Sequence, residues 1–149
     1  MNNHKKIVGM IPVRLESTRL PNKALKDICG LPLIIHVLKR TQLSEMLQDV
    51  FVATDSNEIA DVVTKYNGNV IMTSKDHQTG TDRIAEAART IDAEIIVNIQ
   101  GDEALVKPKH IDIAINCLLE RYDIANVAIL VNSFNKFNSD SDIKVVLNE

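Results

Sequence analysis

Residues 7–23 read IVGMIPVRLESTRLPNK, and the change of character inside this stretch decides the fold. Ile7 to Val13 is a short, mostly apolar run with β-branched residues, preceded by Lys5 and Lys6 and followed by a polar segment. A run of that length and composition predicts a strand buried on both faces, as in a parallel sheet. Three permanent cations follow within ten residues, Arg14, Arg19 and Lys23, with the hydroxyls of Ser17 and Thr18 between them. A triphosphate needs such a set, because its oxygens require both neutralising charge and orienting donors. Pro12 and Pro21 restrict the loop, so less entropy is lost when it binds. The competing reading is a solvated charged loop. Position after a buried first strand favours the binding role.

Outward from this stretch, strands and helices alternate. Residues 14–29 read as a long ordered loop, and Gly30-Leu31-Pro32 opens a helix with Leu33, Ile34, Val37, Leu38 and Thr41 on one side. Asp49 to Thr54 is a second strand. Asp55 to Tyr66 is a helix capped by Asp55 or Ser56 and ended by Asn67-Gly68. Asn69 to Thr73 is a third strand, and Ile84, Ala87, Ala88 and Ile91 mark a helix over about residues 80–91. Glu94 to Ile99 is the next strand, and Ile111, Ile115 and Leu118 define a helix from about Pro108 to Tyr122. Ala125 to Val131 and Ile143 to Leu147 read as two more strands, with an exposed loop from Asn132 to Asp142. This order predicts an α/β protein of three layers, a mainly parallel sheet with helices on both faces. Ligands in such sheets bind beyond the carboxyl ends of the strands. Those ends are Val13-Arg14, Thr54-Asp55, Thr73-Ser74 and Gln100-Gly101-Asp102, and all are polar.

Bulk properties narrow the function. The 149 residues fit one domain, and 45% apolar with 25% charged residues is ordinary for a globular chain. A net charge of -3 argues against a general nucleic-acid binder. Cys29 and Cys117 match no zinc or redox spacing, and free thiols at buried or half-buried positions are expected. The four histidines are dispersed and give no metal spacing. The apolar run at the start breaks at Pro12 and Arg14, too soon for a signal peptide or a membrane span, so a cytoplasmic protein is expected. Neither a Walker A loop nor a G-x-G-x-x-G fingerprint occurs, which disfavours a P-loop ATPase and a Rossmann dehydrogenase.

The strings IPVR (11–14), STRLPNK (17–23), GLPLI (30–34), TSKDHQTGTDRI (73–84) and VNIQGDE (97–103) occur in the order found in the Kdo cytidylyltransferases, which couple CTP to 3-deoxy-manno-octulosonate. The chain resembles that family over essentially its whole length. Other sugar-acid cytidylyltransferases share much of the first motif, and HQTGTDR (77–83) is what favours the Kdo group. The resemblance implies a nucleotide-diphospho-sugar transferase-like, Rossmann-like fold. It also implies that Arg14, Ser17, Arg19 and Lys23 grip the CTP phosphates, and that Pro12, Val13, Thr73 and Ser74 frame the cytosine. Gly80 and Gln100 join the nucleotide site. Asp102 is the expected magnesium ligand, since magnesium takes few carboxylates beside phosphate oxygens. Arg14, Lys23 and Asp102 carry the catalytic roles.

Several residues keep open readings. His77 positions its loop or contacts nucleotide; Arg83 pairs with a carboxylate or reaches the ligand. Thr73 and Ser74 also suit simple capping. Thr81 and Asp82 are candidate helix caps, and Gly80 allows close backbone approach or a positive φ. Glu103 is a cap, a loop salt-bridge partner or a further ligand, and no general base is assignable. Ala104 stands where the family usually has proline, which loosens that loop. The implied reaction is CMP transfer from CTP to Kdo with release of pyrophosphate, for lipopolysaccharide or capsule synthesis. Complete family members continue well beyond the point matched by Glu149, so a truncated chain is expected, a homodimer if complete. The alternatives are a catalytically silent CTP-binding module, or a cytidylyltransferase for 8-amino-Kdo or a sialic-type acid.

Overall fold

The structure is a computed structural model that describes residues 5–15, 20–128 and 145. Strand β1 (Ile7–Val13) leads through a 3-10 turn (Lys23–Leu25) to a small hairpin, β2 (Asp27–Ile28) and β3 (Leu31–Pro32). Helix α1 (Leu33–Thr41), strand β4 (Asp49–Thr54), helix α2 (Asn57–Lys65) and strand β5 (Asn69–Met72) follow. Helix α3 (Gly80–Ala88), strand β6 (Ile95–Asn98) and helix α4 (Pro108–Arg121) complete the described elements.

All seven residues of β1 are buried, because both of its edges are paired and both of its faces are covered. The sheet order is β5-β4-β1-β6, and every pairing is parallel. The chain therefore moves outward from β1 to β4 and β5, then returns to the far side of β1. Right-handed crossovers put the connecting helix on one face during the outward move and on the opposite face during the return. The two cores show this division. Ile7, Ile11 and Val13 of β1 and Val50 and Val52 of β4 pack with Ile34 and Leu38 of α1, Ile59 and Val63 of α2, and Ile111 and Ile115 of α4. On the other face, Val8 and Met10 of β1 and Ala53 of β4 pack with Ile84 and Ala87 of α3. Alternate residues of one strand thus feed alternate cores, the period of two that a pleated strand imposes. Burying each of Val8, Met10 and Ile11 contributes about 1.5–3 kcal/mol. The three-layer α/β reading holds.

Helix ends follow local chemistry. The Ser56 hydroxyl accepts from Ile59 N and caps α2, which settles the choice between Asp55 and Ser56. Asn67, at φ 58°, ends that helix in the left-handed region, and Gly68 N donates to Val63 O at 2.9 Å. Thr79 caps α3 through a capping box with Asp82, so Thr81 lies inside the helix.

Four expectations need correction. Segment 14–29 is not all loop, since it holds the 3-10 turn and the first hairpin strand. Gly30-Leu31-Pro32 does not open the helix: Cys29 and Gly30, both at positive φ (52° and 86°), form the hairpin tip, Leu31–Pro32 is its second strand, and α1 begins at Leu33. The thiols are free but exposed, Cys29 because it sits on that tip and Cys117 because it lies on α4 away from Ile111 and Ile115. Residues 125–128 form no strand, having no strand partner among the described residues. Residues 129–144, which include the expected Asn132–Asp142 loop, and the strand read at Ile143–Leu147 lie outside the described residues, apart from exposed Val145. Among the described residues no helix is long and apolar enough to cross a membrane.

Candidate active site

The chain reverses direction across the sheet between β1 and β6, so the loops leaving these neighbouring strands diverge. A crevice opens where they part. It holds a cavity of about 310 Å³, at the lower end of the range for small-molecule sites. Pro12, Val13 and Arg14 line it from the end of β1, and Gln100, Gly101 and Asp102 from beyond β6. Lys23, Ala24 and Leu33 form a second side; His77, Gln78, Thr79, Gly80 and Arg83 form a third. Two glycines let the backbones close in. A Cβ on Gly101 would lie 2.7 Å from Val13 Cγ2 and 2.8 Å from Pro12 O, closer than real Cβ atoms approach. A Cβ on Gly80 would come within 3.1 Å of Pro12 Cγ, so this glycine serves close approach rather than a positive φ.

Charge is concentrated at the mouth. Lys23 Nζ donates to Asp102 Oδ2 at 2.7 Å, with the two side chains 41% and 56% exposed. An ion pair that exposed is worth about 0–1 kcal/mol, so a ligand can separate it at little cost. Arg14 is exposed beside it. Among the described residues no group of three or more His, Cys, Asp or Glu could hold a metal ion unaided. A single carboxylate at the mouth suits a magnesium ion that brings phosphate oxygens and water with it. Glu103 is exposed and does not line the cavity.

Behind the third side lies a network that was only partly legible. Arg83 is 3% exposed; its Nη2 pairs with Asp55 Oδ2 at 3.2 Å, and its Nη1 donates to Thr73 Oγ1 and to Ser74 O. One carboxylate oxygen of Glu86 accepts from Ser74 N at 2.9 Å and from His77 Nε2. The hydrogen bond from His77 is the main reason the Glu86 carboxyl is held below its ordinary value of 4.5. The Ser74 N–H adds to this, burial opposes it, and the charges of His77 and Arg83 contribute less.

Pro12, Val13, Arg14, Lys23, Gly80, Gln100 and Asp102 are therefore brought together around one cavity. Thr73 and Ser74 do not line it; their polar atoms are engaged with Arg83, Glu86 and Asp76. Ser17 and Arg19 lie outside the described residues. Sequence reasoning read Asp55 only as a strand end or helix cap and did not pair it with Arg83, and it missed Glu86. A signal existed in Arg83, which stands four residues before Ala87 on the apolar side of α3 and so had to bury its charge against a partner. Gln78 and Thr79 carried no chemical signature of their own.

An open parallel sheet, helices on both faces and a polar cavity at the strand reversal define an α/β protein with the Rossmann-like fold of nucleotidyltransferases. A family model described as Cytidylyltransferase matches residues 8–149, and the chain belongs to that family. It is 46% identical over 142 residues to a 3-deoxy-manno-octulosonate cytidylyltransferase from Geobacter sulfurreducens, covering 94% of this chain and 57% of the relative. The chain thus spans little more than half the length of that curated relative. A solved CMP:2-keto-3-deoxy-manno-octonic acid synthetase complexed with CTP matches at TM-score 0.76 and 38% identity, over 78% of this chain and 48% of the other. A cytidylyltransferase from Leptospira borgpetersenii matches at TM-score 0.71 and 27% identity, over 79% and 50%.

Proposed function

We propose that this chain carries the CTP site of an enzyme that transfers CMP from CTP to Kdo, with release of pyrophosphate, for lipopolysaccharide or capsule synthesis. One observation carries the reading. Arg14, Lys23 and Asp102 face a common cavity at the carboxyl ends of β1 and β6, where a triphosphate needs cations and a metal-binding carboxylate. The resemblance to the relatives supports the choice of base and sugar.

In the proposed reaction a sugar hydroxyl oxygen bonds to the α-phosphorus, and the bond from that phosphorus to the bridging oxygen breaks, so that pyrophosphate leaves with the electron pair. The hydroxyl proton passes to solvent. Arg14 and Lys23 hold the β- and γ-phosphates and offset charge on the leaving pyrophosphate. Asp102 would hold magnesium, which when bound neutralises phosphate oxygens and makes the phosphorus more electrophilic. The cavity walls orient the nucleotide, so catalysis is chiefly positioning and charge neutralisation.

The test is a melting-temperature comparison with magnesium and CTP, UTP, ATP or GTP, followed by pyrophosphate release from CTP with Kdo and other sugar acids. CTP should raise the melting temperature most, because binding to the native state adds stability. Equal shifts with all four nucleotides would sink the cytidine reading.

A further inference from the structure

Residues 73–79 join β5 to α3 without regular structure, yet they supply His77, Gln78 and Thr79 to one wall of the cavity. A loop of this kind needs external fastening to keep one shape, since each ordered residue loses conformational entropy. The fastening comes from α3. Glu86 ties the start of the segment through Ser74 N and its middle through His77 Nε2, with a single carboxylate oxygen. Glu86 does not itself line the cavity. Within the wall, the Thr79 hydroxyl is engaged with Asp82 in the capping box. The Gln78 side chain makes no hydrogen bond to another described residue. Its amide is both donor and acceptor, the chemistry that recognises a base edge. Charge available to a ligand divides the cavity in the same sense. Arg14 and Lys23 suit phosphates. On the third side the one permanent cation, Arg83, is 3% exposed and already paired with Asp55, which leaves the uncharged Gln78 and Thr79 to suit the nucleoside end.

We infer that Glu86 is a positioning residue for nucleoside recognition: acting through Ser74 and His77, it holds segment 73–79 in the shape that presents Gln78 to the nucleoside. This rests on the nucleotide reading of the site. Glu86 is half-buried and lies off the packed side of α3, which is Ile84 and Ala87, so its loss leaves the core intact.

Calorimetric titration of the wild-type chain and of Glu86→Ala, Glu86→Gln and Gln78→Ala, each with magnesium-CTP and with inorganic tripolyphosphate, tests it. Glu86→Ala and Gln78→Ala should weaken CTP by about tenfold, the scale of one or two modest hydrogen bonds. Tripolyphosphate, which lacks the nucleoside, should bind all forms within about twofold, well inside the roughly tenfold effect of one such bond. Glu86→Gln should recover most of the CTP affinity, because its amide oxygen can accept from both Ser74 N and His77 Nε2. CTP affinity unchanged in Glu86→Ala overturns the inference. So does parallel loss of CTP and tripolyphosphate, which would mean general damage to the site. A wild-type chain that binds tripolyphosphate but not CTP overturns the nucleotide reading and this inference with it, and is told apart by needing no variant.

Discussion

Lys23 Nζ and Asp102 Oδ2, from residues 79 apart in the chain, meet at 2.7 Å across the cavity mouth. The 3-10 turn delivers the lysine, and the tight passage of Gly101 over Val13 and Pro12 fixes the aspartate. In this arrangement the ammonium group satisfies the same carboxylate that would receive a divalent cation. Triphosphate offers the lysine several anionic oxygens in exchange for one carboxylate, so ligand binding and release of Asp102 are coupled in sign.

Replacing Lys23 or Arg14 with alanine should therefore weaken CTP binding without weakening the fold. Both are surface positions, where substitutions change stability by about 0.5 kcal/mol or less, and the Lys23 pair is too exposed to add much. Calorimetry measures the affinity and urea unfolding the stability. Unchanged affinity in both variants would show that this loop is only a solvated surface.

Asp102→Asn should remove most of the magnesium dependence of CTP binding, since a neutral amide is a much poorer ligand for a hard cation. CTP titrations of both forms, with and without magnesium, decide it. If the metal effect survives in the variant, the ligand lies elsewhere, and Glu103, the next carboxylate along, is the first candidate.

The sheet was legible because its signals are local. Seven buried residues in Ile7–Val13 announce a two-faced strand, and the spacing of Ile34, Leu38, Ile59 and Val63 announces the helices. The place of the cavity followed from one topological rule applied to four strand ends, two of which meet there, while Lys23 came from the cation-rich loop and Gly80 from the family resemblance. What escaped the sequence is set by tertiary pairing. Nothing local says that Arg83 would find Asp55, or that one oxygen of Glu86 would fasten both Ser74 and His77. The exposed cysteines escaped for a related reason. Cysteine tends to be buried, but the hairpin required a left-handed residue at position 29 and α4 turned position 117 away from its core.

Arg83→Met should be far more damaging than its chemistry at a surface would suggest. The variant leaves the Asp55 carboxylate, 17% exposed, without its cation and removes the donors to Thr73 Oγ1 and Ser74 O. Breaking one side of a buried pair typically costs about 3–5 kcal/mol. Asp55→Asn in the same chain should return part of that loss, since no charge is then stranded. Urea unfolding of the two single variants and the double variant gives the coupling. Strictly additive losses would mean that the two side chains do not depend on each other.

Glu86 predicts a change in the acid limb of stability. Its carboxyl titrates below 4.5 in the folded chain, chiefly through the His77 hydrogen bond and then the Ser74 N–H. The sign follows from proton counting: between the folded value and 4.5 the unfolded chain binds more protons at this group than the native one. The contribution of Glu86 is thus complete above the unfolded value and disappears as pH falls through the folded one. Acid unfolding of the whole chain involves its other carboxylates as well, so the wild-type curve alone cannot isolate this residue. The difference between wild type and Glu86→Gln can, because the other groups largely cancel. Urea unfolding of both forms in steps from about pH 6 down to about pH 3 should show that difference shrinking once the pH drops below the unfolded carboxylate range. Parallel curves over that window would mean that the folded chain does not favour the ionised form of Glu86, and the fastening of Ser74 and His77 would then have to be assigned to neutral hydrogen bonds alone.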